Sequence, residues 1–206
     1  MSRRFALPLV LDGESIRALV VGAGGVGARK ARSLLEGGAA VRVVAMHVSA
    51  EVTALAECFD RLTLEIGRYG DASIRDEAVV VAATDDPELN AQIARDALAR
   101  GRLVNVADDS ELGNCVTPAV HRAGELIIAV AAGGVPTAAA RVRDEIARNM
   151  DGRYGAAVAE LARLRTRLLR DGARGRWREV VDSVIGMDFC EIVRRGEFEQ
   201  RIAEWR

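Results

Sequence analysis

The chain has 206 residues, with 29 Lys and Arg against 30 Asp and Glu, so its formal net charge is −1 at pH 7. That balance excludes a general nucleic-acid role. No apolar run approaches the ~20 residues of a membrane span, and the three scattered cysteines, Cys58, Cys115 and Cys190, make neither a disulfide framework nor a CxxC metal site.

Half of the residues are hydrophobic but only 4% are aromatic, which suits an aliphatic core of Val, Ala and Leu in layered α/β structure. The opening MSRRFALPLVLDGES turns polar too soon for a signal peptide, and a reducing cytoplasm is the expected compartment. Phe5 to Asp12 reads as an extended lead-in, with Pro8 holding it at an edge. Ala18 to Val21 is a short apolar run that suits a parallel strand buried on both faces. It meets Gly22-Ala23-Gly24-Gly25-Val26-Gly27, a GxGxxG turn, and then Ala28, Ala31, Leu34 and Leu35 at helical spacing. In a strand–turn–helix unit Gly22 permits the tight turn, Gly24 admits a pyrophosphate to the backbone, and Gly27 lets helix and strand pack closely. The free N–H groups of the helix start then face the phosphates.

Gly37-Gly38 ends this helix, and Val41 to Ala45 is the second strand of a βαβ unit. The acid that usually holds the adenosine ribose near this strand end is missing: Ala45-Met46-His47 stands there, with no acid before Glu51. His47 with Arg42 suits a 2′-phosphate, which keeps NADP open. A solvent-exposed loop histidine is the plainer reading. Val48 to Phe59 reads as a helix, Leu62 to Ile66 and Ala78 to Ala83 as strands. Thr84-Asp85-Asp86-Pro87 leads into a helix over Glu88 to Arg100, with an Asp cap and proline in its first turn. Leu103 to Ala107 is the next strand and runs into Asp108-Asp109-Ser110. This alternation predicts a right-handed, doubly wound parallel sheet, whose ligands lie beyond the carboxyl ends of the strands. Gly22, Met46, Thr84 and Asp108 share those ends and are expected around one cleft.

After Asp109 the pattern changes. Val116 to His121 and Glu125 to Ala131, joined by Arg122-Ala123-Gly124, read as a β-hairpin, and Pro136 to Met150 as a helix. From Asp151 onward the chain reads as helical, with an apolar stripe through Val158, Leu161, Leu164 and Leu168 and further stripes ending at Trp205. Arg163, Arg167, Arg170 and Arg174 recur three or four apart. Leu161 to Arg178 holds seven arginines and one acid, Asp171, which makes either a solvated helix face or a surface for an anion.

HExxH, GxSxG and the GK[ST] ending of a P-loop are all absent, so no metal ligands are assigned and nucleotide hydrolysis is excluded. The remaining candidate for acid–base work is Asp108, a carboxylate placed to take a proton while a nicotinamide takes a hydride. The competing reading is that Asp108 or Asp109 only holds the turn.

Three stretches together resemble the precorrin-2 dehydrogenase / sirohydrochlorin ferrochelatase family of siroheme synthesis: ALVVGAGGVGARKARSLLEGGAAVRVVA, VVVAATDDPELNAQIARDA and LVNVADDSELGNCVTPAVHRAGELIIAVAAGG. The resemblance covers residues 1 to about 150 in order. It implies an NAD-binding Rossmann domain over 1–112, a hairpin and helix dimerisation region over 113–150 and a helical domain over 151–206. It also implies a homodimer that oxidises precorrin-2 to sirohydrochlorin with NAD. Some members also insert ferrous iron. Carried over by position, the catalytic carboxylate falls on Asp108. The cofactor contacts fall on Gly25, Val26, Met46 and His47, beside Gly22, Gly24, Gly27 and Thr84 of the cleft. Ala131-Ala132 replaces a serine-containing pair, Pro136-Thr137 a Ser-Pro, and Cys115 an aromatic. These departures bear on iron insertion more than on dehydrogenation. A nucleotide-sensing Rossmann protein without turnover and a dehydrogenase of another small substrate are the competing functions. No nucleic-acid or membrane partner is expected.

Overall fold

The computed structural model describes residues 7–205, so the first part of the Phe5 to Asp12 lead-in lies outside them. Its described part carries no strand, and a single 3-10 turn, Gly13–Ser15, precedes the sheet. The sheet strands are β1 (Arg17–Ala23), β2 (Ala40–Val48), β3 (Leu62–Ile66), β4 (Val79–Ala82) and β5 (Leu103–Val106). They are connected by α1 (Gly25–Glu36), α2 (Ala50–Cys58) and α3 (Pro87–Ala99). All four pairings are parallel, in the order β3-β2-β1-β4-β5.

The alternation along β1 explains why these short apolar runs are strands. Ala18 and Val20 pack with Ala28, Ala31, Leu35, Val52 and Leu55 of α1 and α2 on one face. Leu19 and Val21 pack with Ile93, Ala94 and Ala97 of α3 on the other. A sheet covered on both faces needs apolar residues at every position, and β4, Val79–Ala82, is buried throughout. The edge at β5 is closed by the following loop. Asn114 accepts from the Val104 N–H at 2.7 Å and donates to the Arg102 carbonyl at 3.1 Å. A side chain on Gly113 would meet the Val104 carbonyl oxygen at 2.5 Å. This Gly-Asn pair thus satisfies backbone groups that an open edge would offer to other chains.

The chain divides into two compact units, one ending at Thr117 and one beginning at Pro118. The second unit opens with the antiparallel hairpin β6 (Ala119–Ala123) and β7 (Leu126–Val130), followed by α4 (Pro136–Asn149), α5 (Gly152–Arg170), α6 (Arg174–Val184), α7 (Phe189–Arg195) and α8 (Phe198–Ala203). The doubly wound sheet, the hairpin and the helical end are therefore all present as expected. The hairpin bounds shift: Arg122 and Ala123 belong to β6, and the turn falls on Gly124-Glu125, with Gly124 at φ 57°. Gly155 of α5 lies so close to this hairpin that a Cβ there would sit 1.9 Å from the Ala123 carbonyl oxygen.

The stripe Leu161, Leu164 and Leu168 is buried, extended by Tyr154 and Ala157, while Val158 lies beside it, half-buried. The row of four arginines is broken. α5 ends at Arg170, Gly172 turns the chain at φ 74°, and Arg174 begins α6. Side-chain spacing continued through the break, but backbone direction did not.

Candidate functional site

Strand order reverses between β1 and β4, and this switch point opens a crevice beyond their carboxyl ends. Gly22 stands there at φ 103°, and a Cβ on it would meet the Ala83 carbonyl oxygen at 2.3 Å and the Thr84 nitrogen at 2.9 Å. Only glycine suits both that dihedral and that approach. Gly27, one turn into α1, is equally confined, for its Cβ would lie 2.1 Å from the Gly22 carbonyl oxygen. Gly24 and Gly25 are different: a Cβ on either meets nothing within 4 Å. Two glycines therefore serve the packing of helix on strand, and two border open space at the helix start.

That helix start is bare. Gly24 is the N-cap of α1, it supplies no side-chain cap, and the first turn holds no acid. Unsatisfied N–H groups with their partial positive charge face the open side of the glycines, which fits a dinucleotide pyrophosphate. Val26 is exposed on the same turn.

Met46 and His47 reach this region through an irregularity that the sequence did not announce. The β1–β2 register runs regularly to Val21↔Val44 and then jumps to Ala23↔Val48. Gly22 thus faces three residues, Ala45, Met46 and His47, which bulge outward and leave Met46 and His47 exposed beside the glycine turn. Ser49 N–H returns to the Ala23 carbonyl at 3.1 Å and closes the bulge.

Arg42 does not join His47. Its guanidinium is nearly buried, donates to Glu77 and Glu65 at 2.9 Å each and also reaches the Ser73 carbonyl. Glu77 is 4% exposed and pairs with Arg42 in a salt bridge. With four of its five N–H groups engaged and its side chain nearly buried, this arginine is held away from a 2′-phosphate, and removing it would leave a buried carboxylate without its counter-charge. The pairing of Arg42 with His47 that kept NADP open is therefore corrected.

The far side of the crevice carries Thr84 and Asp108. β4 and β5 run in register with Ala82 beside Val106, which brings their following residues together. Between them lies Asn90, in the first turn of α3 and 1% exposed. Its Oδ1 accepts from the Thr84 N–H at 3.1 Å and the Thr84 hydroxyl at 2.7 Å. Its Nδ2 donates to the Thr84 carbonyl at 3.1 Å and to both Asp108 oxygens at 3.3 and 3.4 Å. Asp109 instead serves the turn. Its Oδ1 accepts from Glu111 N–H at 2.9 Å, and its carbonyl from Leu112 N–H at 3.3 Å. The two adjacent acids are thus divided, with Asp109 in the turn and the exposed carboxylate of Asp108 turned to Asn90. Sequence reasoning assigned Asn90 no role. A polar residue six positions beyond Thr84, on the buried stripe that Ile93 and Ala97 continue, was the available signal.

Near the glycine turn the chain's one lysine, Lys30, donates to Thr117 Oγ1. Its half-burial and the neighbouring Arg29 lower its pKa, while burial pushes the Cys115 thiol up. On the second unit, Arg163 pairs with Glu160, Arg167 donates to the Trp205 carbonyl, and Arg170 pairs with Asp171.

The strand order, the open glycine pair and the uncapped helix define a Rossmann-type dinucleotide-binding protein. Residues 9–119 match the family described as "Putative NAD(P)-binding", and the chain belongs to that NAD(P)-binding family. It is also similar to the siroheme synthase of Chromobacterium violaceum, 38% identical over 210 residues that make up 95% of this chain and 43% of the relative. The siroheme synthase of Pseudomonas entomophila is 37% identical over 185 residues, 87% of this chain and 40% of that one. The chain thus spans less than half the length of these curated relatives. Among solved structures, SirC, precorrin-2 dehydrogenase, superposes with a TM-score of 0.71 at 26% identity, covering 97% of this chain and all of that one. These likenesses bear out the resemblance drawn from the sequence. Among the described residues no helix is long and apolar enough to cross a membrane.

Proposed function

We propose that this protein oxidises precorrin-2 to sirohydrochlorin with NAD as the hydride acceptor, in siroheme synthesis, and that Asp108 is its acid–base residue. The observation that carries this reading is the carboxylate of Asp108 at the switch-point crevice, relieved of the turn by Asp109 and hydrogen-bonded to a buried amide. Likeness to SirC over nearly the whole chain supports the substrate. NAD supplies, when bound, a nicotinamide that accepts a hydride. The residues of this chain do the rest. Gly24, Gly25 and Val26 hold the pyrophosphate at the start of α1, Gly22 and Gly27 let that turn exist, and Met46, His47 and Thr84 border the cofactor. Asp108 takes the proton lost from the substrate as conjugation extends, so hydride and proton together account for the two-electron oxidation. NAD is favoured over NADP because Arg42 is committed to Glu77 and Glu65.

In this reading residues 1–112 hold the cofactor, 113–150 form the homodimer contact and 151–206 complete the helical end. Val116, Ile127, Val135 and Val142 are all exposed and all fall within the contact segment, where a partner copy would cover them. Cys58, Cys115 and Cys190, free and scattered along the sequence, suit a reducing cytoplasm.

Anaerobic incubation with precorrin-2 and NAD, followed by absorbance of NADH and sirohydrochlorin, tests the activity. Asp108→Ala is expected to keep the fold and NADH binding and to lose oxidation by roughly 10²–10⁴-fold, the usual worth of such a group. Asp109→Ala, which removes only a turn bond, is expected to lose ~1 kcal/mol of stability and little rate. Tight NADH binding without turnover of precorrin-2 would favour the nucleotide-sensing reading instead.

A further inference from the structure

The buried amide between Thr84 and Asp108 has no part in the reaction as proposed, and its bonding pattern gives it one. Thr84 N–H can only donate and the Thr84 carbonyl can only accept. Both meet the Asn90 carboxamide at 3.1 Å, one at Oδ1 and the other at Nδ2. The amide therefore cannot be turned over without setting donor against donor and acceptor against acceptor. Its remaining N–H is thereby aimed at Asp108, where it divides between the two carboxylate oxygens. The hydroxyl of Thr84 fills the second lone pair of Oδ1 at 2.7 Å, so every donor and acceptor of Asn90 is used. The backbone of Asn90 is fixed as well. Asp86 caps α3 with bonds to Glu88 and Leu89 N–H at 2.9 and 3.2 Å, and its carbonyl accepts from Asn90 N–H at 3.0 Å. Asp108 itself is exposed and on a loop, where an unsupported carboxylate would sample several rotamers.

We infer that Asn90 is a positioning residue for the proton-transfer step: its amide, locked by the Thr84 backbone, holds the Asp108 carboxylate in one orientation at the mouth of the crevice. The inference rests on the assignment of Asp108 as the acid–base group. Misplacing a reacting group by about an ångström costs as much as ~10²-fold in rate, so orientation alone carries a large effect. Because the amide bonds the carboxylate rather than the substrate, its loss falls on kcat and leaves substrate affinity alone.

The test is a double-mutant cycle on the full chain, with kcat and KM for precorrin-2, NADH affinity by fluorescence, and folding by circular dichroism. Asn90→Ala is expected to lower kcat about tenfold to about 100-fold at saturating NAD, with KM for precorrin-2 within about twofold. Asn90→Asp, close in size and still able to accept from Thr84 N–H, is expected to lower kcat at least as much, because an acceptor and a second negative charge then face Asp108. It decides the matter where the alanine variant fails to fold. In an Asp108→Asn background, either substitution is expected to change kcat by less than about twofold, since the group to be positioned is no longer a base. Wild-type kcat in folded Asn90 variants would overturn the inference while leaving Asp108 in place. The same loss in both backgrounds would also overturn it, because Asn90 would then act without Asp108. Wild-type kcat in Asp108→Asn would remove the base assignment and this inference together.

Discussion

At the scale of single residues, the glycine turn separates into positions that the packing confines and positions that border open space. Gly27 is closed in by the Gly22 carbonyl oxygen at 2.1 Å from a would-be Cβ, whereas Gly24 borders open space. Alanine at 27 must push α1 off β1, so Gly27→Ala is expected to cost about 1–3 kcal/mol in thermal or urea unfolding. A Cβ at 24 meets no protein atom within 4 Å, so Gly24→Val is expected to stay folded, losing at most about 1 kcal/mol because valine is a poor N-cap. NADH binding, measured by fluorescence, should nevertheless weaken by at least about tenfold, because the side chain stands where the pyrophosphate approaches the helix start. A stable Gly24→Val protein with unchanged affinity would move the cofactor away from this turn. Arg42 gives the complementary lesson: a cation near a cofactor site has no hold on a phosphate when two carboxylates already share it.

Among the elements, α5 depends on its first turn. Asp151 is the N-cap and accepts from the Arg153 N–H at 3.0 Å, while the Arg153 guanidinium binds the same carboxylate. The Arg153 side-chain and backbone bonds hold the Asp151 carboxyl below its ordinary value. A carboxyl depressed in the folded state adds stability that is complete above its unfolded pKa and is lost as pH falls through the folded one. The melting temperature is therefore expected to drop as pH falls below the ordinary aspartate value of about 4, with a shallower drop in Asp151→Asn, which still caps the helix but does not titrate. An identical acid profile for the two proteins would show that this cap contributes nothing to acid sensitivity. The β2 bulge and the break between α5 and α6 belong to this scale as well. Each redirects residues, Met46 and His47 in one case and Arg174 in the other, that spacing alone would have placed elsewhere.

For the whole molecule, the strand order decides which residues share the crevice. The reversal between β1 and β4 brings the glycine turn against Ala83 and Thr84, and the next strand adds Asp108. The expected homodimer is also a matter of the whole molecule. The hairpin edge and the exposed Val116, Ile127, Val135 and Val142 lie in one continuous segment of the chain, and an unpaired strand edge is a template for a second chain. Sedimentation at micromolar concentration is expected to give a dimer, and Ile127→Asp to shift it toward monomer with unchanged secondary structure. A wild-type monomer would show that the segment does not self-associate.

By itself the sequence determined the layered α/β class, the five parallel strands, the hairpin and the helical end. Apolar runs such as Ala18 to Val21 and periodic helical stripes are local properties, and burial on both faces of a sheet leaves its mark within a few residues. It determined the glycine turn for the same reason, since strand, glycines and helix are contiguous. Tertiary structure alone decided which of two adjacent acids faces the crevice, what orients it and whether Arg42 is free. Those answers depend on partners distant along the chain: Asn90 is 18 positions from Asp108, and Glu77 is 35 from Arg42. A carboxylate in a turn and a carboxylate at a site read alike in one dimension. They differ only in which donor the folded chain sets against them.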